Sequence, residues 1–203
     1  MKTGCIILAG GKSSRMGEDK ALLNYNGQKF IEIIADELSF FEEKIIARRN
    51  NSILGELEKA SWKIVADEYP EHGPIGGLHA ALKNCESDAM FVVTCDMPLM
   101  TGNLARKIYG EMCGCVETAK HDELGGTLDA VIAVSNDGKY HPLCGVYRKE
   151  LYQLMEEYIL QDNNRVMAVL KNCRVKYVNL NEEESKQLAN VNTRDEYEKL
   201  GKI

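Results

Sequence analysis

Residues 5–9, Cys-Ile-Ile-Leu-Ala, form an unbroken apolar run that opens directly onto Gly10-Gly11-Lys12-Ser13-Ser14-Arg15-Met16-Gly17-Glu18-Asp19-Lys20. An apolar run this short with a glycine stop predicts a buried strand emptying into a loop. Two consecutive glycines let the backbone come close to a polyphosphate and turn several N–H groups toward it. Arg15 and Lys20 add a planar cationic fork and a compact point charge beyond that cradle. A bare Gly-Gly also reads as an ordinary solvated turn, but Arg15, Gly17 and Lys20 together favour the phosphate reading. The loop is neither a Walker A element, since no Lys-Ser or Lys-Thr follows G-x-x-x-x-G, nor the G-x-G-x-x-G dinucleotide fingerprint.

Around this loop the pattern alternates. Strands are predicted at 5–9, 44–47, 62–66 and 90–94, with helices at 30–41, 78–85 and 104–112, the last beginning near Thr101. This is the order of an open, mostly parallel α/β sheet, in which ligands bind beyond the carboxyl ends of the strands. Gly10, Asp67 and Asp96 all fall at such ends. Residues 113–127 lose periodicity and are predicted to be a loop. Two strands at 130–135 and 140–147 then flank the turn Asn136-Asp137-Gly138, followed by helices at 150–160 and 164–170, a strand at 175–180 and a closing helix at 193–200. Asn181 with Glu184 and Thr193 with Glu196 have capping-box spacing.

The chain of 203 residues is long enough for one domain with a sizeable core, and it shows no linker or repeat. A formal charge of −6 argues against nucleic acid or an anionic membrane as partner, and the apolar runs are too short to span a bilayer. The expected location is the cytoplasm. Seven scattered cysteines fit reduced thiols rather than a disulfide framework. Cys113-Gly114-Cys115 with His121 resembles a metal site but lacks a second cysteine pair, so thiols without metal are the better reading.

Asp96 follows a buried strand and precedes Met97-Pro98, which delivers a hard carboxylate to the ligand edge. That suits Mg²⁺, which takes one or two carboxylates and completes its shell with water and substrate phosphates. A turn cap before Pro98 is the plainer alternative. Asp67, also at a strand end, is placed to accept from the N1–H and N2 amino donors of guanine, with Gly76 and Gly77 allowing close approach of a base or ribose. A solvated turn residue is the alternative there.

The stretch Leu8-Ala9-Gly10-Gly11-x-Ser13-x-Arg15-Met16-Gly17-x-Asp19-Lys20 resembles the signature of the molybdenum cofactor guanylyltransferases, the MobA family. His72-Gly73-Pro74-Ile75-Gly76-Gly77, Asp96-Met97-Pro98, His141-Pro142-Leu143-Cys144-Gly145-Val146-Tyr147, Asn164-Arg165-Val166-Met167 and Asn190-Val191-Asn192-Thr193 extend the likeness over nearly the whole chain. The resemblance implies a three-layer, Rossmann-like nucleotidyltransferase fold and transfer of GMP from GTP to molybdopterin with release of pyrophosphate. It implies nucleotide contacts at Leu8, Ala9, Gly10, Gly11, Lys20, Asp67 and Asp96, catalytic roles for Lys20, Arg15 and Asp96, and Mg²⁺ on Asp96. It further implies acceptor recognition by His141, Arg165, Asn190 and Asn192, in a later half (101–203) set apart from a nucleotide half (1–100), and cofactor-delivery proteins as partners. His141 and Arg165 read equally well as a structural histidine and a helix-surface cation. One departure stands out: where the family has Ser-Ala-Asn-Arg, this chain has Ala47-Arg48-Arg49-Asn50, leaving Arg49, or Asn50 by a one-residue slip, at the asparagine's place. The alternatives are a cytidylyltransferase for the same acceptor, a guanylyltransferase for another phosphorylated acceptor, and a non-catalytic nucleotide-binding adaptor.

Overall fold

The computed structural model describes residues 2–10, 19–48, 61–118 and 127–200. Its core is a seven-stranded sheet. The strands are β1 (Gly4–Leu8), β4 (Glu43–Arg48), β5 (Lys63–Ala66), β6 (Ala89–Thr94), β7 (Ala130–Val134), β8 (Tyr140–Arg148) and β9 (Val175–Asn179), in the order β5-β4-β1-β6-β8-β7-β9. A separate two-stranded hairpin, β2 (Asn24–Tyr25) with β3 (Gln28–Lys29), turns on Asn26 and Gly27, both at positive φ. All sheet neighbours run parallel except β8, which is antiparallel to β6 and β7.

β1 is buried along its whole length because it lies between β4 and β6 and is covered on both faces. Successive side chains of a strand point to opposite faces. Cys5 and Ile7 therefore join one apolar layer with helices α1 (Phe30–Glu37) and α3 (Gly102–Thr118), while Ile6 and Leu8 join another with α2 (Pro74–Lys83), α4 (Leu151–Leu160) and α5 (Val166–Leu170). The result is the expected three-layer arrangement.

Several boundaries differ from the sequence expectation. α3 runs on to Thr118, so the predicted loop begins later than residue 113. Leu104, Ala105, Ile108, Tyr109 and Met112 lie on its buried stripe, and that packing carries the helix past Gly110, which would weaken an isolated helix. The Thr101 hydroxyl accepts from the Leu104 N–H, the expected start signal. α2 begins at Pro74 rather than 78, with Gly73 at φ 70° as its first flanking residue; proline at a first helical position has its φ already set. α1 stops at Glu37, and a short α6 (Glu182–Lys186) follows the Asn181–Glu184 capping box.

Because β8 is antiparallel to β6, with Gly145 opposite Val92, its beginning lies at the carboxyl end of β6. After α6 the chain returns across that edge and closes with α7 (Arg194–Leu200). Val191 and Leu200 pack with Leu23 and Phe30, and Tyr197 Oη donates to the Asn24 carbonyl. The last residues described are thus tied to the β2–β3 hairpin near the start of the chain.

Candidate active site

Three strand ends build the floor of the site. Ala9 N–H donates to the Ala47 carbonyl at 2.9 Å and Cys95 N–H to the Leu8 carbonyl at 3.0 Å, which extends the parallel ladder one residue past β1 and fixes where Gly10 and Asp96 emerge. Asp19 Oδ1 accepts from Ala21 N–H at 3.1 Å and caps a single 3₁₀ turn over Lys20–Leu22. Its other oxygen pairs with the guanidinium of Arg48, a side chain buried at the end of β4. This ion pair anchors the start of the turn to the sheet, and the turn carries Lys20.

Lys20 Nζ lies 2.6 Å from Asn192 Oδ1 and 3.4 Å from Asp96 Oδ2. Asp96 Oδ1 accepts from the Thr94 hydroxyl at 2.5 Å. The two charged side chains are 21% and 15% exposed, low enough that the pair is only partly screened by water. Leu8, Ala9, Gly10, Asp19, Lys20, Pro74, Thr94, Asp96, Leu143 and Asn190 enclose a cavity of about 180 Å³ around them. Burial pushes the Cys95 thiol up to about 12, so it stays protonated and is no nucleophile.

Asn190 also lines a larger, polar cavity of about 440 Å³ between the β7–β8 turn and the segment from α6 to α7. Asn192, His141, Ser135, Lys139 and Lys186 face it as well. Ser135 Oγ donates to Asp137 Oδ1 at 2.5 Å, with the Lys139 carbonyl as its other acceptor at 3.2 Å. A hydroxyl has one proton, so at its 3.0 Å contact with His141 Nε2 it can only accept, and Nε2 carries hydrogen. Burial, with Lys139 adding to it, holds the His141 imidazole below its ordinary pKa. The ring is therefore neutral near pH 7, with Nδ1 as its acceptor.

The structure brings Leu8, Ala9, Gly10, Lys20 and Asp96 together at one cavity and His141, Asn190 and Asn192 at its neighbour. Gly11, Arg15, Arg49 and Asn50 lie outside the described residues, as does His121 of the weighed cysteine–histidine grouping. Among the described residues no group of three His, Cys, Asp or Glu side chains is placed to hold a metal ion. Asp67 lines neither cavity. Its Oδ1 accepts from Tyr69 N–H at 2.8 Å, and the carboxylate packs against the first turn of α2. Arg165 is exposed at the start of α5 and also lines neither. Its neighbour Asn164 meets His72 Nδ1 at 2.6 Å, which ties that segment to the turn before α2 instead. Sequence reasoning missed Arg48, Thr94, Leu143, Ser135 and Asp137. An arginine directly after the apolar run Ile45-Ile46-Ala47 and a Thr-x-Asp at a strand end were the available signals for the first two.

A strand opening onto Gly10, with a lysine and an aspartate gathered at the carboxyl edge of a mostly parallel three-layer sheet, is the arrangement of a nucleotidyltransferase. Residues 5–179 match the model of the MobA-like NTP transferase domain, and the chain belongs to that family. It is 30% identical over 98% of its length to a probable molybdenum cofactor guanylyltransferase of Geobacillus sp. (strain WCH70), of which it covers 98%. It is 32% identical to another from Clostridium perfringens (strain ATCC 13124), with 98% of this chain and 96% of that protein covered. Among solved structures, molybdopterin-guanine dinucleotide biosynthesis protein A from Archaeoglobus fulgidus superposes with a TM-score of 0.79 at 24% identity, covering 99% of this chain and 98% of that one, and so shares the fold.

Proposed function

We propose that this chain transfers GMP from GTP to the terminal phosphate of molybdopterin, forming the guanine dinucleotide cofactor and releasing pyrophosphate. The observation that carries the reading is the Lys20–Asp96 pair, set where a smaller cleft at the strand ends meets a larger polar cavity through the shared Asn190. The names of the full-length relatives supply the base and the acceptor. In this reading the whole chain works as a single cytoplasmic domain. Its acceptor arrives free or from a delivery protein.

An oxygen of the acceptor phosphate attacks the α-phosphorus of GTP; the new P–O bond forms as the bond to the β-phosphate breaks, and the electron pair leaves with pyrophosphate. A phosphate is already ionised near neutral pH, so no general base is assigned. Catalysis is then in-line positioning plus neutralisation of charge on the transferring group. Lys20, Arg15 and the N–H groups of Gly10 and Gly11 serve the phosphates; Asp67, the candidate for the guanine edge, lies outside both cavities and is the weakest member of the nucleotide set. His141, Asn190 and Asn192 face the acceptor cavity, and Arg165, standing apart, is the weakest member of the acceptor set.

The residues present fit a divalent ion. Asp96 offers a carboxylate to the smaller cavity, and Mg²⁺ needs no fuller protein cage when phosphates and water complete its shell. Asp96 would hold Mg²⁺, which supplies charge stabilisation to the phosphates when bound.

Incubation of the protein with Mg²⁺, molybdopterin and each labelled nucleoside triphosphate, followed by mass analysis of the product, tests the proposal. The expected product is the GMP adduct with one pyrophosphate per turnover. A CMP adduct would assign the cytidylyltransferase activity instead, and no adduct with any nucleotide would remove the transferase reading.

A further inference from the structure

The segment before α7 was expected to serve the acceptor, yet its main attachments are to the nucleotide side. Val191 N–H donates to the Asp96 carbonyl at 2.8 Å, and the Val191 side chain is buried against Leu23 and Phe30. The N–H groups of Asn192 and Thr193 both donate to Glu196 Oε2, at 2.7 and 2.9 Å, which fixes Asn192 in the first-turn cap of α7. From that fixed point Asn192 Oδ1 takes the shorter of the two Lys20 contacts, 2.6 Å against 3.4 Å to Asp96.

The chemistry of this contact sets the orientation of the amide. A lysine ammonium only donates, so the Asn192 oxygen faces Lys20 and its amino group faces away. Lysine loses much rotamer freedom when its ammonium is held in one place. An acceptor rigidly mounted on the sheet edge removes that freedom before any ligand arrives, and preorganisation of this kind raises affinity without adding a ligand contact.

We infer that Asn192 is a positioning residue of the nucleotide site: its amide oxygen holds Lys20 Nζ beside Asp96, ready for the phosphates of a bound nucleoside triphosphate, before the acceptor is present. The inference rests on the proposed transferase function, in which Lys20 serves those phosphates. Because Asn192 also faces the larger cavity, one amide links the two sites, and any change in acceptor affinity caused by nucleotide must be mirrored in the reverse direction.

Calorimetric titration of Mg·GTP without acceptor tests this on the wild type, Asn192→Ala, Lys20→Ala and the double variant. Asn192 is only partly buried, and Asn192→Leu, which keeps the branched shape of the side chain without its polar atoms, provides a second variant. The expectation is a roughly tenfold weaker GTP affinity for either Asn192 variant, the scale of one hydrogen bond to a charged group, and a larger loss for Lys20→Ala. In the double variant the Asn192 change should add nothing further, a dependence that a general structural defect would not show. Unchanged GTP affinity in both Asn192 variants, or losses at the two positions that simply add, would overturn the inference while leaving the functional reading in place. A wild type that binds no GTP, or Lys20→Ala binding as tightly as wild type, would remove the nucleotide role of Lys20 and this inference with it.

Discussion

At the scale of single residues, the site is a set of groups oriented by neighbouring side chains. Asp96 is steered by the Thr94 hydroxyl, Lys20 by Asn192, and His141 by Ser135. Asp96→Asn keeps the shape and the Thr94 contact but removes the charge. It should lower turnover by about a hundredfold or more, the equivalent of a few kcal/mol of charge stabilisation, with no change in thermal midpoint. Steady-state assays at saturating Mg²⁺ with parallel melting curves decide it, and near-normal turnover would reduce Asp96 to a turn cap. Arg165 offers a contrast. Its exposed place outside both cavities predicts that Arg165→Ala leaves the affinity for GTP unchanged. A titration in which GTP affinity falls would move it to the nucleotide side, toward its neighbour Asn164 on the His72 turn.

Among the elements, the first turn of α2 is constrained at one glycine and not at the next. A Cβ on Gly76 would lie 2.5 Å from the Tyr69 carbonyl and 2.6 Å from Asp67 Oδ1, whereas one on Gly77 would meet the Ala47 and Leu8 side chains at an ordinary 3.6 Å. Gly76→Ala must therefore displace the backbone turn that carries Asp67, and Gly77→Ala need not. The first should lower stability by about 1–3 kcal/mol, as overpacking does, while the second stays near wild type. Urea unfolding of the two variants is the comparison, and equal stabilities would contradict the geometry. The elements also show where local signals compete with packing. Asn26-Gly27 is a strong hairpin signal, overlooked beside the long helical pattern that follows it. Lost periodicity from residue 113 suggested a loop, yet the helix continues to Thr118; up to Met112 it is held by a buried stripe against the sheet, a contact with no local sequence trace.

On the scale of the whole molecule, the two helical layers differ in their titratable content. His79 is fully buried between α2 and α4, with Glu156 Oε1 3.6 Å from its Nε2 and the Tyr69 and Tyr152 rings beside it. Burial lowers its pKa below the ordinary 6.5; Lys83 adds to the shift, and Glu156, Glu68 and Asp67 oppose it. Below about pH 6.5 the unfolded chain takes up a proton that the folded chain resists. The His79 contribution is therefore present above that pH and is lost as the pH falls toward the folded value. Urea midpoints should drop between about pH 7.5 and 5.5, and His79→Leu should drop less; equal slopes would clear His79 of the effect. Base selectivity belongs to this scale too, since the guanine reading of Asp67 joins β5 to the phosphate loop of β1. GTP should bind more tightly than ATP or CTP by calorimetry, and equal affinities would remove the guanine preference while keeping the fold.

By itself the sequence determined the open, mostly parallel α/β sheet and the strand ends that carry Gly10, Asp67 and Asp96, because apolar periodicity and loop chemistry are local properties, and its motifs carried the family and with it the three-layer fold. The tertiary structure alone decided that Asn192 meets Lys20 across 172 positions, that Arg48 is the partner of Asp19, and that Arg165 stands apart from His141. Those pairings depend on which edge of the sheet the returning chain crosses, and a distance across a fold has no counterpart in spacing along the chain.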